Sequence, residues 1–302
     1  MGILEALRDP VRLFLPLVRR GLLDWVPDKP YLMLAFRANM GRWPNLKRPE
    51  TYNEKLQWLK LYDRRPEYST MVDKCAVKEY VADIIGSEYI IPTLGVWDRF
   101  EDIDFDALPE RFVLKCTHDS GGLVICRNKA ELDIGAAREK INKFLKRKYF
   151  RVWREWPYKN VKPRILAEAY MEDGGTQELR DYKFFAFNGE AKLLFVATER
   201  QKTGEETKFD FFDMDYTHLN IQNGHPHALI PPEKPEQFQL MRQLTEKLAK
   251  GIPQLRVDFY EVNGAVYFGE LTLFHWSGMV PFDPPEWDRE LGSWIELPKK
   301  TV

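Results

Sequence analysis

The sequence is short of cysteine, of net charge and of long apolar runs. Its three cysteines, Cys75, Cys116 and Cys126, are odd in number and lack a Cys-x-x-Cys pairing. That argues against a disulfide framework or a thiolate zinc site and for a reducing compartment, the cytoplasm. Lys and Arg number 45 against 46 Asp and Glu, a net charge of −1, so no global basic field points to nucleic acid. No window approaches the roughly 18 consecutive apolar residues of a membrane span. Residues 1–27 are apolar but broken by Arg8, Pro10, Arg12, Pro16, Arg19 and Arg20. They fit neither a signal peptide nor a span, and are expected to pack on the body or to touch the inner face of a membrane peripherally. There is no internal repeat and no Gly-Lys-Ser/Thr loop opening a helix. No histidine pair has metal-ligand spacing except His225-Pro-His227, which reads as a turn in a proline-rich loop.

What is present falls into short elements. Residues 1–50, punctuated by Pro27, Pro30, Pro44 and Pro49, read as an irregular extension packing on the body. Leu56, Trp58 and Leu59 mark a helix over 52–62, and Asp73 caps a second helix with Val77, Tyr80, Val81, Ile84 and Ile85 on its apolar side. These helices, with a short strand at 90–92, make an N-terminal lobe over 51–111. A small α/β lobe over 112–163 follows: strands at 112–116 and 123–126 around the loop 117–122, then a helix of about four turns from Ile134. Strands at 164–171, 181–187, 191–197 and 209–212, a loop at 218–235 and a helix at 236–250 belong to a larger, mostly antiparallel lobe over 164–302. Its tail, 281–297, is expected to wrap back on the body. The class is α+β in three lobes.

The most informative stretch is 256–272, whose alternation on both sides of Asn263-Gly264 predicts a tight β-hairpin. Val257, Phe259, Val266 and Phe268 share the core face, and Asp258 points to the other. Strict pairing would set Asp258 opposite Gly269 and drive Glu270 into the core, where an unpaired carboxylate is very costly. A one-residue bulge at Gly269 removes that conflict and brings Glu270 beside Asp258. Two carboxylates so placed repel unless a cation lies between them. Mg²⁺, which takes one or two carboxylates with phosphate oxygens, suits the pair; a solvated surface hairpin is the alternative.

Lys115 precedes the loop residues His118, Asp119, Ser120, Gly121 and Gly122. Glycine lets backbone N–H groups approach an anion, and a nearby lysine adds charge; an ordinary Gly-Gly turn is the alternative. Glu168 interrupts an apolar strand, which suits either a hinge receiving an adenine or an edge strand with a solvated acid. Residues 138–164 interleave Lys and Arg with Phe144, Tyr149, Phe150, Trp153, Trp156 and Tyr158. Single-stranded nucleic acid binders and binders of acidic sugar polymers share that composition, as does a solvated helix followed by a packed loop. Asp210, Asp213 and Asp215 alternate along a strand and read as a solvated face.

Taken in order, these pieces resemble an ATP-grasp enzyme: Asp73-Lys74, Lys115 before a glycine-rich loop, Glu168 to Met171, Asp181-Tyr-Lys183, Arg256-Val-Asp258 and Glu270. More narrowly, the phrases at 51–59, 73–81, 112–116 and 268–272 resemble the TupA-like ATP-grasp family of teichuronopeptide and capsule biosynthesis. The resemblance implies ATP and Mg²⁺ as cofactors, with Lys74 and Lys115 on the phosphates and the loop from His118 to Gly122 closing over them. It also implies Glu168, Tyr170 and Met171 at the adenine, Lys183 near the γ-phosphate, and Asp258 and Glu270 on the metal. Arg256 would steady the transferred phosphoryl group. Thr272 departs from the Asn that many such enzymes carry there.

The resulting expectation is a ligase that phosphorylates a carboxylate and joins it to an amine. Its partners would be a small amine or amino acid and an acidic polysaccharide or lipid-linked sugar precursor, with no nucleic acid. Two other readings stay open. A glycosyltransferase would use Asp213-Met-Asp215 as its metal triplet, and a non-catalytic polyanion binder would use residues 138–164.

Overall fold

The computed structural model describes residues 17–18, 21–174, 179–199 and 206–301. The segment 1–27 proposed for membrane contact therefore lies mostly outside the described residues. No helix among those described is long and apolar enough to cross a membrane.

The first described helix of length, α1 (Asp28–Met40), corrects the expectation of irregular chain through residue 50. Its prolines had suggested punctuation. Pro27 is the N-cap and Pro30 lies in the first turn, where a missing N–H has no intrahelical acceptor to lose. α2 (Tyr52–Tyr62) starts on a capping box: Thr51 Oγ1 accepts from Glu54 N–H at 3.3 Å, and Glu54 Oε2 accepts from Thr51 N–H at 3.4 Å. It is buried on nearly every side, Lys60 included. Lys60 Nζ donates to Gln57 Oε1 and to the carbonyls of Trp153 and Ser277, at 3.2, 3.1 and 2.7 Å. α3 (Glu67–Val72) and α4 (Ala76–Ile85) meet at Asp73, whose Oδ1 accepts from Cys75 and Ala76 N–H at 2.9 and 3.4 Å.

A four-stranded antiparallel sheet follows in the order β1-β4-β2-β3, from β1 (Thr93–Trp97), β2 (Phe112–Cys116), β3 (Leu123–Cys126) and β4 (Ile165–Ala169). It draws β1 and β4 from outside the expected span 112–163. The strand expected at 90–92 begins instead at Thr93, and Ile90 makes only an isolated bridge to Phe268. Pro92 lacks the N–H a ladder would need. α5 (Ile134–Leu145), nearer three turns than four, buries Ala137 and Ile141 against Phe112, Leu114 and Ile165. The short α6 (Phe150–Trp153) comes next.

The larger sheet has six strands in the order β10-β9-β5-β6-β7-β8. They are β5 (Asp181–Phe187), β6 (Glu190–Thr198), β7 (Lys208–Phe212), β8 (His218–Leu219), β9 (Gln254–Val262) and β10 (Ala265–Thr272). Phe184, Phe185, Leu193, Phe195, Phe211, Val257 and Phe259 are fully or almost fully buried in its core. Removing each such side chain from water is worth about 1.5–3 kcal/mol, so this sheet anchors the molecule. α7 (Phe238–Leu248) lays Phe238, Met241, Leu244 and Leu248 on it. The tail returns as expected: α8 (Glu286–Ser293) packs on α2, and Asp288 Oδ1 accepts from Asn53 N–H at 2.9 Å.

Candidate active site

The hairpin β9–β10 turns through Asn263 and Gly264, at φ of 51° and 78°, the left-handed pair that a two-residue turn requires. Val262 pairs with Ala265 and Phe259 with Phe268; the register then shifts, so that Glu270 pairs with Asp258. Gly269 is the extra residue of the bulge. A Cβ on it would come within 3.1 Å of Asp258 O and of Tyr260 Cε2. The expected bulge is therefore present, with Phe259 and Phe268 in the core and the Glu270 side chain 38% exposed.

β5 lies on the other side of β9 and sets Lys183 beside Asp258. Asp258 is consequently gripped from two directions. Arg256 Nε donates to its Oδ1 at 2.7 Å and Nη2 to its Oδ2 at 2.8 Å, and Lys183 Nζ also bonds Oδ2. Lys183 reaches Asp181 Oδ2 at 2.8 Å as well. Burial opposes ionisation of Asp258, but Arg256 and then Lys183 outweigh it and push its pKa down to about 2. Arg256 Nη1 donates to His275 Nδ1 at 2.8 Å, and His275 Nε2 donates in turn to Asn223 Oδ1 at 2.9 Å. Burial, reinforced by Arg256, holds His275 neutral with its pKa well below the ordinary value. Glu270 is held more loosely, by Lys74 at 3.3 Å and Arg256 at 3.8 Å. Desolvation opposes its ionisation, yet Lys74 and the other cations leave its pKa below the ordinary value.

The smaller sheet and α4 supply the facing wall. The backbone N–H of Lys74 donates to Thr117 O at 3.0 Å and its Nζ to Asp119 O at 2.9 Å, so this lysine is tied to the glycine-rich loop at both ends. The loop closes with Cys116 N–H donating to Gly122 O at 2.7 Å. Gly122 has no room for a side chain: a Cβ would lie 2.6 Å from Cys116 Sγ and 2.9 Å from Phe144 Cβ. Glu168, on β4, pairs with Lys78 and Lys115, each at 2.5 Å. Burial would raise the Glu168 pKa, but Lys115 and then Lys78 hold it below the ordinary range.

One cleft is lined by Lys74, Lys78, Lys115, Asp119, Ser120, Gly121, Gly122, Glu168, Asp181, Lys183, Asp258 and Glu270, with Ile90, Ile91, Val77 and Leu271 as apolar wall. Other expected residues stand back from it. His118 is buried and bonds Arg147 O through Nε2 at 3.0 Å. Tyr170 lies under Arg111, 5.5 Å from ring centre to guanidinium, and its hydroxyl accepts from Arg127 Nε at 3.3 Å. Neither Tyr170 nor Met171 lines the cleft, nor does Arg256, which acts from beneath it through Asp258 and Glu270. Thr272 pairs with Arg256 across the hairpin. Sequence reasoning missed Lys78 and the part played by Asp181. Both had a signal: Lys78 follows Lys74 by one helical turn, and Asp181 shares a strand face with Lys183.

Mg²⁺ needs oxygen ligands with free lone pairs. Glu270, half in solvent and loosely paired, offers them. Asp258 is more occupied: Arg256 and Lys183 use three of the roughly four acceptor directions of a carboxylate, leaving one on Oδ1. The donor set fits an ion held chiefly by Glu270, with Asp258 contributing one oxygen.

Part of what suggested the other readings serves the structure, while Arg138, Lys140, Lys143, Lys146 and Lys148 stay exposed. Asp213 Oδ1 accepts from Asp215 and Thr217 N–H at 2.9 and 2.8 Å, a self-contained turn. In 138–164, Arg154 is buried over the Tyr31 ring at 4.1 Å and donates to the carbonyls of Leu23, Asp24 and Val26. Tyr149 packs edge-on against Tyr158.

No curated protein matches the chain. Among solved structures, similarity extends to D-alanine–D-alanine ligase from Helicobacter pylori, with 13% identity, TM-score 0.45, and coverage of 81% of this chain and 69% of that one. The Bacillus anthracis D-alanine–D-alanine ligase complexed with ATP gives 14%, 0.39, 68% and 54% in the same order. The ATP-grasp ligase PsnB, complexed with minimal precursor, Mg and ADP, gives 10%, 0.39, 73% and 57%. The chain thus spans between about half and two thirds of the length of these structures. A family model described as TupA-like ATPgrasp matches residues 54–296, and the chain belongs to that family.

Proposed function

We propose that this protein is an ATP- and Mg²⁺-dependent ligase that activates a carboxylate as its acyl phosphate and joins it to an amine. The observation that carries this is the convergence of Lys74, Lys78, Lys115 and Lys183 on one cleft with the Asp258–Glu270 pair, beneath a glycine-rich loop. A triphosphate requires several cations, and a carboxylate pair beside it is useful for holding the metal that bridges its oxygens.

Lys74 and Lys115 bind the phosphates, and the loop from His118 to Gly122 covers them, with His118 and Asp119 setting its shape and Ser120 to Gly122 lining it. Ile90, Ile91 and the β4 end at Glu168 bound the nucleotide. Lys183 serves the γ-phosphate. Glu270, aided by Asp258, would hold Mg²⁺, which would supply charge neutralisation at the transferred phosphoryl group. Arg256 spends three of its five N–H groups on Asp258 and His275 and, from beneath the cleft, holds Asp258 in place below the transferred phosphoryl group. The carboxylate oxygen attacks the γ-phosphorus and ADP leaves. The amine then attacks the acyl carbon, and phosphate leaves as hydrogen phosphate carrying the amine proton. Excluding bulk water protects the acyl phosphate meanwhile.

The substrate class we favour is supported by Trp276, the neighbour of the Arg256 partner His275. Trp276, 41% exposed and held at φ of 47° next to His275, offers an aromatic face to a sugar ring. A uronic acid of a surface polysaccharide, or its lipid-linked precursor at the inner face of the membrane, suits an aromatic face for its ring and a phosphorylating site for its carboxylate. The test is ADP release by purified protein with a panel of uronates and amines, read with product mass. Release that needs both partners, with a product one water lighter than their sum, is expected. UDP release from a UDP-sugar without ATP would establish the glycosyltransferase instead, and salt-sensitive polyanion retention without turnover a binding protein.

A further inference from the structure

At the β7–β8 edge of the larger sheet, three side chains that the ligase chemistry does not use come together. Asp210 on β7, His218 opening β8 and His227 in the loop beyond each bring one candidate ligand atom within 4.8 Å of the other two. None of them lines the cleft. We propose that they bind one divalent ion of the Zn²⁺ class, distinct from the ion at Glu270.

The backbone makes the cluster. Phe212 pairs with His218, and Asp210 lies two residues before Phe212, so strand alternation sets Asp210 and His218 on one face. The loop then doubles back, with Ala228 N–H donating to Asp210 Oδ2 at 3.2 Å and His227 Nε2 meeting Ile221 O at 2.6 Å. A carbonyl only accepts, so Nε2 of His227 carries the proton and its lone pair is on Nδ1. Metal-binding histidines are oriented in this way, by a backbone carbonyl on the far nitrogen.

Asp210 is fully buried, and among the described residues His218, at 3.0 Å, is its one ion-pairing partner, with no Lys or Arg of those residues paired to it. A buried carboxylate held by one imidazole and one backbone N–H has little to offset its burial, and a divalent ion would complete it. The 3.0 Å spacing is close to the about 3.3 Å between two ligands of a tetrahedral ion with bonds of 2.0–2.1 Å. His218 binds by moving its proton from Nε2 to Nδ1, so a neutral ring ligates without releasing a proton. Its side chain is 32% exposed, which leaves water for the fourth position. Two imidazoles and one carboxylate favour Zn²⁺ over Mg²⁺. Occupancy would also brace the loop that leads from Ile221 to Asn223, the partner of His275 and through it of Arg256.

The full chain, stripped with a chelator, is titrated with Zn²⁺ in excess Mg²⁺. One Zn²⁺ per chain is expected, with Co²⁺ giving visible d–d absorption. His218→Ala and His227→Ala should each lower affinity by at least the roughly 10–100-fold that losing an outer partner of a ligand costs, whereas Glu270→Gln should leave the stoichiometry unchanged. X-ray absorption on the Zn²⁺-loaded wild-type chain needs no variant and should find two imidazole nitrogens and oxygen at about 2.0–2.2 Å. No retained Zn²⁺, unchanged affinity in folded histidine variants, or sulfur in the coordination sphere overturns the proposal.

Discussion

Asp258 and Glu270 face each other across the Gly269 bulge, yet amide substitution should affect them in opposite ways. Glu270→Gln removes a charge that is 38% exposed and paired only at 3.3 and 3.8 Å. Such a pair is worth about 0–1 kcal/mol, and its loss also relieves repulsion with Asp258, so folding stability should change by about 0.5 kcal/mol or less. Asp258→Asn removes a carboxylate that is 3% exposed and joined to Arg256 and Lys183. Breaking a buried pair costs about 3–5 kcal/mol. Lys183 keeps Asp181 and Arg256 keeps His275, so the lower end applies, roughly 3 kcal/mol or a melting point about 6 °C lower. Urea unfolding and Mg²⁺-dependent ADP release, measured on both variants, separate the two roles. Glu270→Gln should unfold with the wild type but lose turnover; Asp258→Asn should lose both. If Glu270→Gln were as destabilised as Asp258→Asn, or kept Mg²⁺-dependent turnover, Glu270 would not be the metal-facing carboxylate.

Lys115→Ala should weaken ATP more than AMP in a calorimetric titration, because the lost charge faces phosphates; equal losses would contradict its assignment. Amide exchange across 117–123 should slow when Mg-ATP is added, and unchanged exchange there would remove loop closure. Acid stability should carry the signature of Asp258, whose pKa is depressed from 3.8 to about 2. Its contribution, about 2 kcal/mol, is present above roughly pH 4 and lost as pH falls toward 2. An acid titration of Asp258→Asn that kept this step would assign it elsewhere.

Much of the hairpin was determined by local sequence. Asn263-Gly264 specifies the turn, alternation specifies the faces, and the cost of burying an ionised Glu270 forces the bulge, so one stretch carries its own register. β5 and α2 were legible for other local reasons, an apolar run ending at Asn188-Gly189 and a capping box at Thr51 and Glu54, since both are buried on nearly every side. The prolines near α1 misled because their effect depends on position within a turn. Tertiary structure alone decided which acid each cation meets. β5 inserts between β9 and β6, out of sequence order, and only that insertion puts Lys183 on Asp258. The pairing of β2 with β4, with α4 beside them, is what commits Glu168 to both Lys78 and Lys115. His275, Asn223 and the Asp210–His218–His227 cluster likewise join residues whose sequence spacing carries no period. Neighbours along a strand are fixed by covalent geometry. Neighbours across a sheet are fixed by how the core packs, and a sequence encodes that only through the volume and apolarity of residues such as Phe184, Phe195 and Phe259, which name no partner.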